Sequence, residues 1–470
     1  MTVKEKIFHL AVDIGASSGR HILGYLEDGK LITREIYRFE NGPVNRNGSL
    51  FWDVDALFRH ILEGMKKCAR EGSVPSTVSI DTWGVDHVLL DKNGERITDA
   101  FCYRDSRTDG IPEAVEKIIS QDELYRRTGI QKQKFNTIFQ LCSLLRDDPG
   151  VLEKAQTMLL LPDYFNYLLT GKKSTEYTNA STTGLLNAES CSWDIELIEK
   201  LGLPLRIFTP ISEPGTFLGK VSPEIEKIIG YAPDVCMTTS HDTASAILAV
   251  PGSCDKRFAY ISSGTWSLIG TELERPEVSE SSMKSNLTNE GGYGHRYRYL
   301  KNITGLWMIQ RLKAEEAPDM SFGEFAGLAS GRDTEGLIDV NDERFLSPEN
   351  MLREIGSYLE ETGQRAAKDV FDAASMVYRS LARFYSEGLK EIEMILGTEF
   401  DEINIVGGGS NADFLNALTA KCSGKKVLAG PSECTAIGNM LAVMLASGEI
   451  PSLKEARETV KRSFVVKEYV

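Results

Sequence analysis

The sequence predicts an α/β protein whose two halves are built on one plan, and three observations carry that expectation. First, one motif occurs twice: residues 10–25 read LAVDIGASSGRHILGY and residues 259–270 read AYISSGTWSLIG. Each is an apolar run, a Gly/Ser/Thr turn and a second apolar run, and Asp13-Ile14-Gly15-Ala16-Ser17 aligns with Ser262-Ser263-Gly264-Thr265-Trp266. Second, strand-like and helix-like patterns alternate behind the first motif. Third, 470 residues exceed what one hydrophobic core serves, so two domains are the modest reading. A tight turn rich in glycine and hydroxyls points backbone N–H groups at an anion. Two such hairpins, one from each half, point to a polyphosphate gripped from both sides, and so to a nucleotide held between duplicated domains.

The elements follow in order. MTVKEKIFHLAVDIG carries Lys4, Lys6 and an early Asp13 and lacks a small-residue cleavage site, so it reads as a first strand and not a signal peptide. After the hairpin comes ITREIYRFEN, a further strand. Asp53 opens a helix with Val54, Leu57, Phe58, Ile61, Leu62 and Met65 on one face, and Gly72 stops it. Thr77–Asp81 is a strand running into TWGVD, followed by HVLLD and the turn KNGE. Residues 113–200 read as mostly helical. In LLLPDYFNYLLTG (159–171), Pro162 and Asp163 break a run ahead of an apolar-aromatic face and a glycine cap. EPGTFLGKVSPEI (213–225) is turn-rich and suits a surface excursion, and VPGSCDKR (250–257) has linker composition. The second half repeats the plan: a hairpin at 258–270, helices at about 303–313 and 367–396, the strand INIV at 403–406, then Gly407-Gly408-Gly409 and the helix ADFLNALTAKC. There is no short-period repeat and no low-complexity tract.

Composition excludes several classes. The 53 Lys and Arg against 68 Asp and Glu leave a formal charge of −15, which makes a poor general binder of nucleic acid or anionic membrane. The same charge repels a nucleotide at long range, so a nucleotide site needs local neutralisation, most simply by Mg²⁺. No apolar stretch approaches the ~18–20 residues of a membrane span, and the cytoplasm is the default location. The eight cysteines, Cys68, Cys102, Cys142, Cys191, Cys236, Cys254, Cys422 and Cys434, have no CxxC or zinc-site spacing and read as reduced, mostly buried thiols.

Each candidate residue is weighed against a plainer role. Asp13 ends a buried strand beside the Gly/Ser turn, where a carboxylate can hold a metal bound to phosphates. The plainer reading is an aspartate bonded to its own turn amides. Ser17, Ser18, Gly19 and Arg20 offer hydroxyls and a guanidinium, natural phosphate donors, although an arginine on a strand is as easily solvated or ion-paired. Ser263-Gly264-Thr265 has no adjacent carboxylate and fits a pure phosphate cradle. Gly407-Gly408-Gly409-Ser410 joins a strand to a helix and allows close approach to a flat ligand such as a nucleoside, but a strand-to-helix turn alone also accounts for it. Asp242, in Ser240-His241-Asp242-Thr243, stands at the start of the small-residue helix TASAILA. It is an N-cap on the plain reading. A helix N-terminus also favours an ionised carboxylate, able to accept a proton from a sugar hydroxyl. TWGVD (82–86), FCYRDSR (101–107) and NEGGYGHRY (289–297) mix aromatics, carboxylates, amides and arginine, a composition that suits a polyol and equally suits packed loops. There is no GxxxxGK[ST], HRD, DFG, GxSxG or HExxH.

With those residues in hand, the chain resembles the FGGY carbohydrate kinases of the actin/hexokinase-like ATPase superfamily over nearly its whole length. The likeness is carried by VDIGASSGR (12–20), IDTWGVDHVLLD (80–91), YRDSRTDG (103–110), LLPDYFNYLLTG (160–171) and EYTNASTTGLLN (176–187). SHDTASA (240–246), SSGTWSL (262–268), KNITGLWMIQ (301–310) and IVGGGSN (405–411) extend it. The TWGVD, His-Asp-Thr and Leu-Lys-Asn-Ile-Thr-Gly-Leu-Trp runs narrow it to the members acting on L-rhamnulose.

The resemblance implies two ribonuclease-H-like domains flanking a catalytic cleft, 1–248 for the sugar, first phosphate hairpin and base, and 249–470 for the second hairpin and adenosine. It implies transfer of phosphate from ATP to O1 of L-rhamnulose, in L-rhamnose catabolism, with ATP and Mg²⁺ as cofactors and a monomer or small homo-oligomer. By position, Asp242 would be the proton acceptor, and Gly84, His241, Asp242, Thr243 and Asn302 would contact the sugar. Ala16, Ser17, Ser18, Gly19, Arg20, Thr265, Gln310 and Gly408 would face the nucleotide, and Asp13 would organise Mg²⁺. His87 departs from the pattern, which has an aromatic such as Phe there, and that leaves open another sugar of the family: fuculose, xylulose, ribulose or glycerol. A non-catalytic actin-like ATP- or sugar-binding protein is the alternative of a different class.

Overall fold

A computed structural model of the chain describes residues 6–252 and 256–470. The chain divides into two compact units. One comprises residues up to Ala249 with Glu272–Tyr299 and Thr435–Ser463; the other comprises Val250–Thr271, Leu300–Cys434 and Phe464–Val470. Part of the linker-like VPGSCDKR run, Cys254 included, lies outside the described residues.

In the first unit a six-stranded sheet runs in the order Phe217–Lys220, Asp234–Cys236, Thr77–Thr82, His9–Ile14, Ser18–Glu27, Lys30–Glu40. His9–Ile14 is antiparallel to Ser18–Glu27 and parallel to Thr77–Thr82, with Asp13 level with Arg20 on one side and Asp81 on the other. Leu10, Val12, Ile14, Val78 and Ile80 are buried in one apolar cluster with Leu57, Ile61 and Met65 of the helix Val54–Arg70. That helix begins where expected: the Asp53 carboxylate accepts the Ala56 N–H at 2.8 Å. Ala11 and Ile22 pack instead on Ala436 and Met440.

Two expectations about elements are corrected. EPGTFLGKVSPEI is not a surface excursion alone, because Phe217–Lys220 within it is the edge strand of this sheet, antiparallel to Asp234–Cys236. The predicted helix at 303–313 starts later: Tyr297–Thr304 is a strand and the helix is Trp307–Glu316. Gly305 lies between them, where there is no room for a Cβ, which would stand 2.6 Å from the Gly264 carbonyl.

The second unit repeats the plan. Six strands of its seven-stranded sheet run in the order Lys467–Tyr469, Lys426–Ala429, Glu402–Val406, Phe258–Ser263, Trp266–Leu273, Tyr297–Thr304. Phe258–Ser263 is antiparallel to Trp266–Leu273 and parallel to Glu402–Val406, as in the first sheet. The long helix Val370–Leu396 buries Ala374, Val377, Leu381 and Tyr385, and Asp369 caps it by accepting the Phe371 and Asp372 amides. Cys68, Cys102, Cys142, Cys191, Cys236 and Cys422 are free thiols, and no helix among the described residues is long and apolar enough to cross a membrane.

Candidate active site

The first hairpin turns at 15–18. Gly15 N–H bonds the Ser18 carbonyl at 2.9 Å, and Asn41 holds two other turn carbonyls: its side-chain amide donates to Gly15 O and its N–H to Ser17 O. No acceptor among the described residues takes the N–H of Ala16 or Ser17. Those amides at an exposed turn are what an oxyanion needs. Gly19 has a packing reason as well: a Cβ there would lie 2.1 Å from the Phe39 ring. Arg20 reaches back to Asp13, Nε to Oδ2 at 3.0 Å, so the arginine proposed for phosphate is ion-paired in this structure.

The parallel register sets Asp81 beside Asp13. Asp81 is fully buried, and burial together with the Asp13 charge pushes its carboxyl well above the usual range. Asn439, on the helix Cys434–Ala446, donates to Asp81 and accepts from Ser79. Beyond Thr82 the sheet is extended by Ser240 and His241, with Thr82 N–H on the Ser240 carbonyl at 2.9 Å. This places Asp242 at the mouth of the same row of carboxylates. Burial, then Asp13, push Asp242 up to about 7.

Asp242 is the first residue of the helix Asp242–Leu248, and the N-cap position belongs to His241, which corrects the plain N-cap reading. Asp242 Oδ1 accepts the Thr243 N–H at 2.6 Å and the Thr243 hydroxyl at 3.1 Å. Oδ2 is left for a proton. The helix sits hard against Cys434–Ala446, where a Cβ on Gly438 would meet the Ser245 carbonyl at 1.7 Å.

Gly84 lies in a braced turn. A Cβ on it would stand 2.8 Å from Thr182 Oγ1, and that oxygen accepts the Val85 N–H at 3.1 Å. Val85 is held at φ +68°, a strained state for a β-branched residue. Its carbonyl is tied by the Thr137 hydroxyl and the Gln140 amide. Asp86 anchors the turn's aromatic side: Oδ2 accepts Trp52 Nε1 at 2.6 Å, Trp83 Nε1 at 2.9 Å and Tyr103 N–H at 3.1 Å. His87, expected from the sequence to depart from the family pattern, is buried, and burial and the nearby Arg107 push it down to about 3. The ring is neutral, and it fills a core position as an uncharged aromatic would.

Sequence reasoning missed the braces of this site. Glu176, fully buried, accepts from Ser240 N–H and Oγ and from Thr178 and Asn179, and Asn179 Nδ2 spans the Trp83 and Ser240 carbonyls, 3.3 Å from each. One polar segment therefore fixes both the Gly84 turn and the Asp242 segment. The signal was the run EYTNASTTG, too polar for a core yet lying between two apolar stretches.

In the second unit, Ser263 pairs with Ser267 across the hairpin, leaving three turn residues where the first hairpin has Ile14 paired with Gly19 and four. Thr265 is exposed, and its hydroxyl bonds Gln310 Oε1 at 3.2 Å, which brings two of the predicted nucleotide residues together. The glycine run packs on this turn: a Cβ on Gly409 would lie 2.0 Å from Ser263 Oγ. Gly408 is exposed, with nothing within 4 Å of a Cβ built on it. Asn302 is half-buried on the strand Tyr297–Thr304. Thus Thr265, Gln310, Gly408 and Asn302 lie in the second unit, and Asp13, Ala16 to Arg20, Gly84 and His241 to Thr243 lie in the first.

Comparison with known proteins adds to this geometry. Residues 8–249 match the N-terminal domain, and residues 259–447 the C-terminal domain, of the FGGY family of carbohydrate kinases. The chain is 47% identical over 456 residues to a rhamnulokinase of Oceanobacillus iheyensis, covering 97% of each chain. It is 47% identical over 463 residues to a rhamnulokinase of Halalkalibacterium halodurans, covering 98% of each. Among solved structures, the fold is shared with a gluconate kinase from Lactobacillus acidophilus, with a TM-score of 0.81 at 18% identity, covering 99% of this chain and 94% of that one.

Proposed function

The chain belongs to the FGGY family of carbohydrate kinases, enzymes that phosphorylate a sugar with ATP, and we propose that its sugar is L-rhamnulose, phosphorylated at O1. The full-length likeness to the two rhamnulokinases supports that sugar, and the reaction would serve L-rhamnose catabolism in the cytoplasm. One observation carries the chemistry: Asp242 has one oxygen engaged by Thr243, the other left for a proton, and its carboxyl is pushed up to about 7. A base of that strength takes a hydroxyl proton near neutral pH.

In this reading O1 attacks the γ-phosphorus as its proton passes to Asp242 Oδ2. The new O1–P bond forms as the bond to the leaving ADP oxygen breaks. Gly84, His241, Thr243 and Asn302 hold the sugar. Ala16, Ser17, Ser18, Gly19 and Arg20 from one hairpin, with Thr265, Gln310 and Gly408 from the second unit, hold the nucleotide. Residues 1–248 would supply sugar site and base, and 249–470 the adenosine site; the protein would act as a monomer or small homo-oligomer. Positioning and charge neutralisation do most of what phosphoryl transfer asks of a protein.

Asp13 fits a magnesium site. Mg²⁺ takes one or two carboxylates and completes its shell with water and phosphate oxygens, so no protein cage is needed. Among the described residues there is no cluster of three or more metal-ligating side chains, in keeping with that mode of binding. The metal would neutralise charge on the phosphate oxygens.

The test is ADP release with Mg-ATP across L-rhamnulose, L-fuculose, L-ribulose, L-xylulose, D-xylulose and glycerol, with sugar-free and chelator controls. A preference for L-rhamnulose of about tenfold or more in kcat/KM is expected, equal to about 1.4 kcal/mol of discrimination. Preference for another sugar overturns the substrate and leaves the base in place.

A further inference from the structure

His241 is braced from behind by groups with no assigned role. Arg298 is fully buried on the strand Tyr297–Thr304. Its Nε donates to the Gly291 carbonyl at 2.8 Å, its Nη1 is 3.1 Å from Glu290 Oε2, and its Nη2 is 2.9 Å from His241 Nδ1. His241 Nδ1 is also 3.4 Å from Glu290 Oε2, and Nε2 is 3.4 Å from Asp242 Oδ1. All four residues belong to the same compact unit.

A guanidinium only donates hydrogen bonds and does not lose its proton in a protein. At 2.9 Å from Nη2, Nδ1 must therefore be the accepting nitrogen. A proton on Nδ1 would set two donors against each other there, in exchange for a longer bond to Glu290. A neutral imidazole has one N–H, so it stands on Nε2, the nitrogen that faces Asp242. Burial and the Arg298 charge both oppose the imidazolium.

We propose that Arg298, itself held by Glu290 and the Gly291 carbonyl, is a positioning residue that locks His241 in its Nε2–H tautomer. The locked N–H then aims at the Oδ1 side of Asp242, alongside the two Thr243 donors. All three donors favour Oδ1, which keeps Oδ2 as the oxygen that receives the hydroxyl proton. The kinetic consequence rests on Asp242 being the base; the tautomer does not.

The test reads the tautomer directly, by NMR of the full-length protein with ¹⁵N-labelled histidine, with His241→Gln identifying the His241 signals. At pH 7.5 a protonated, pyrrole-like Nε2 and an unprotonated Nδ1 are expected. Arg298→Met should move the proton to Nδ1 or give the imidazolium, and should lower kcat by about 10–100-fold with the KM for ATP within about twofold. Arg298→Lys, which keeps a donor, should keep the tautomer and recover part of kcat. Because Met at 298 strands the Glu290 carboxylate in the core, Glu290→Gln/Arg298→Met is measured alongside, and should also release the tautomer. A wild-type proton on Nδ1, or a lost kcat with the tautomer unchanged in both Met variants, overturns the proposal. Near-normal turnover in Asp242→Asn with the Nε2–H tautomer intact overturns the base and leaves the lock standing.

Discussion

At the scale of single residues, Asp242 does two opposed things, and both are measurable. Held at about 7 against the ordinary carboxylate value of 3.8, it has the proton affinity the proposed base needs, and the fold bears that at a cost. Asp242→Asn should lower kcat by about 10²–10⁴-fold while sugar binding stays within a few-fold. In the wild type, kcat/KM should rise with pH through a limb near 7, as Asp242 ionises. The stability sign follows from linkage. The folded value is raised, so the neutral form favours folding; that contribution is whole below 3.8 and is lost as pH rises through about 7. Asparagine carries no such loss. Asp242→Asn should therefore melt higher than the wild type by about 1–2 °C at pH 8, with the gap closing towards pH 4. A gap independent of pH would show that the carboxylate does not titrate upward in the fold.

At the scale of elements, the turn Gly407-Gly408-Gly409 separates two reasons for glycine. Gly409 is required by packing, since a Cβ meets Ser263 Oγ at 2.0 Å, whereas Gly408 faces open space. Gly409→Ala should lower the melting temperature by several degrees, as overpacking costs about 1–3 kcal/mol. Gly408→Ala should leave it within about 1 °C, because surface changes are usually worth no more than about 0.5 kcal/mol, and yet should raise the KM for ATP. A normal KM in Gly408→Ala would remove Gly408 from the nucleotide site. The same turn shows what was legible in the sequence. Three glycines after INIV announced a strand-to-helix turn, but which glycine serves packing depends on Ser263, some 140 positions away. The helix Val54–Arg70 was legible because its cap and its apolar face are local. The strand Phe217–Lys220 was not, since an edge strand among Gly and Pro has no pattern of its own until Asp234–Cys236 pairs with it. Likewise Asp13 and Asp242 were singled out by their motifs as candidates, whereas the surroundings of Asp81 and Arg298 come only from register and burial.

At the scale of the whole molecule, the duplicated motif foretold the duplicated sheet, because each hairpin seeds the same central strand pair. What it did not foretell is that Glu272–Tyr299 and Thr435–Ser463 return to the first unit, bringing Arg298 and Asn439 to the carboxylate row. Such returns are long-range packing choices without a local signal. The charge of −15 is likewise a property of the whole chain, and it bears on the nucleotide. An acidic protein repels an anionic ligand at long range, and salt screens that repulsion over a Debye length of about 10 Å at 0.1 M. Local donors at the turn amides act at contact and are screened less. Raising salt from about 20 to 150 mM at fixed free Mg²⁺ should therefore lower the KM for Mg-ATP, by about twofold, and leave the KM of the uncharged sugar unchanged. A KM for Mg-ATP that rises with salt would mean that the local field of Arg20 outweighs the acidic surface. In that case the Arg20–Asp13 pair must open for the nucleotide, and Arg20→Gln should abolish the salt dependence.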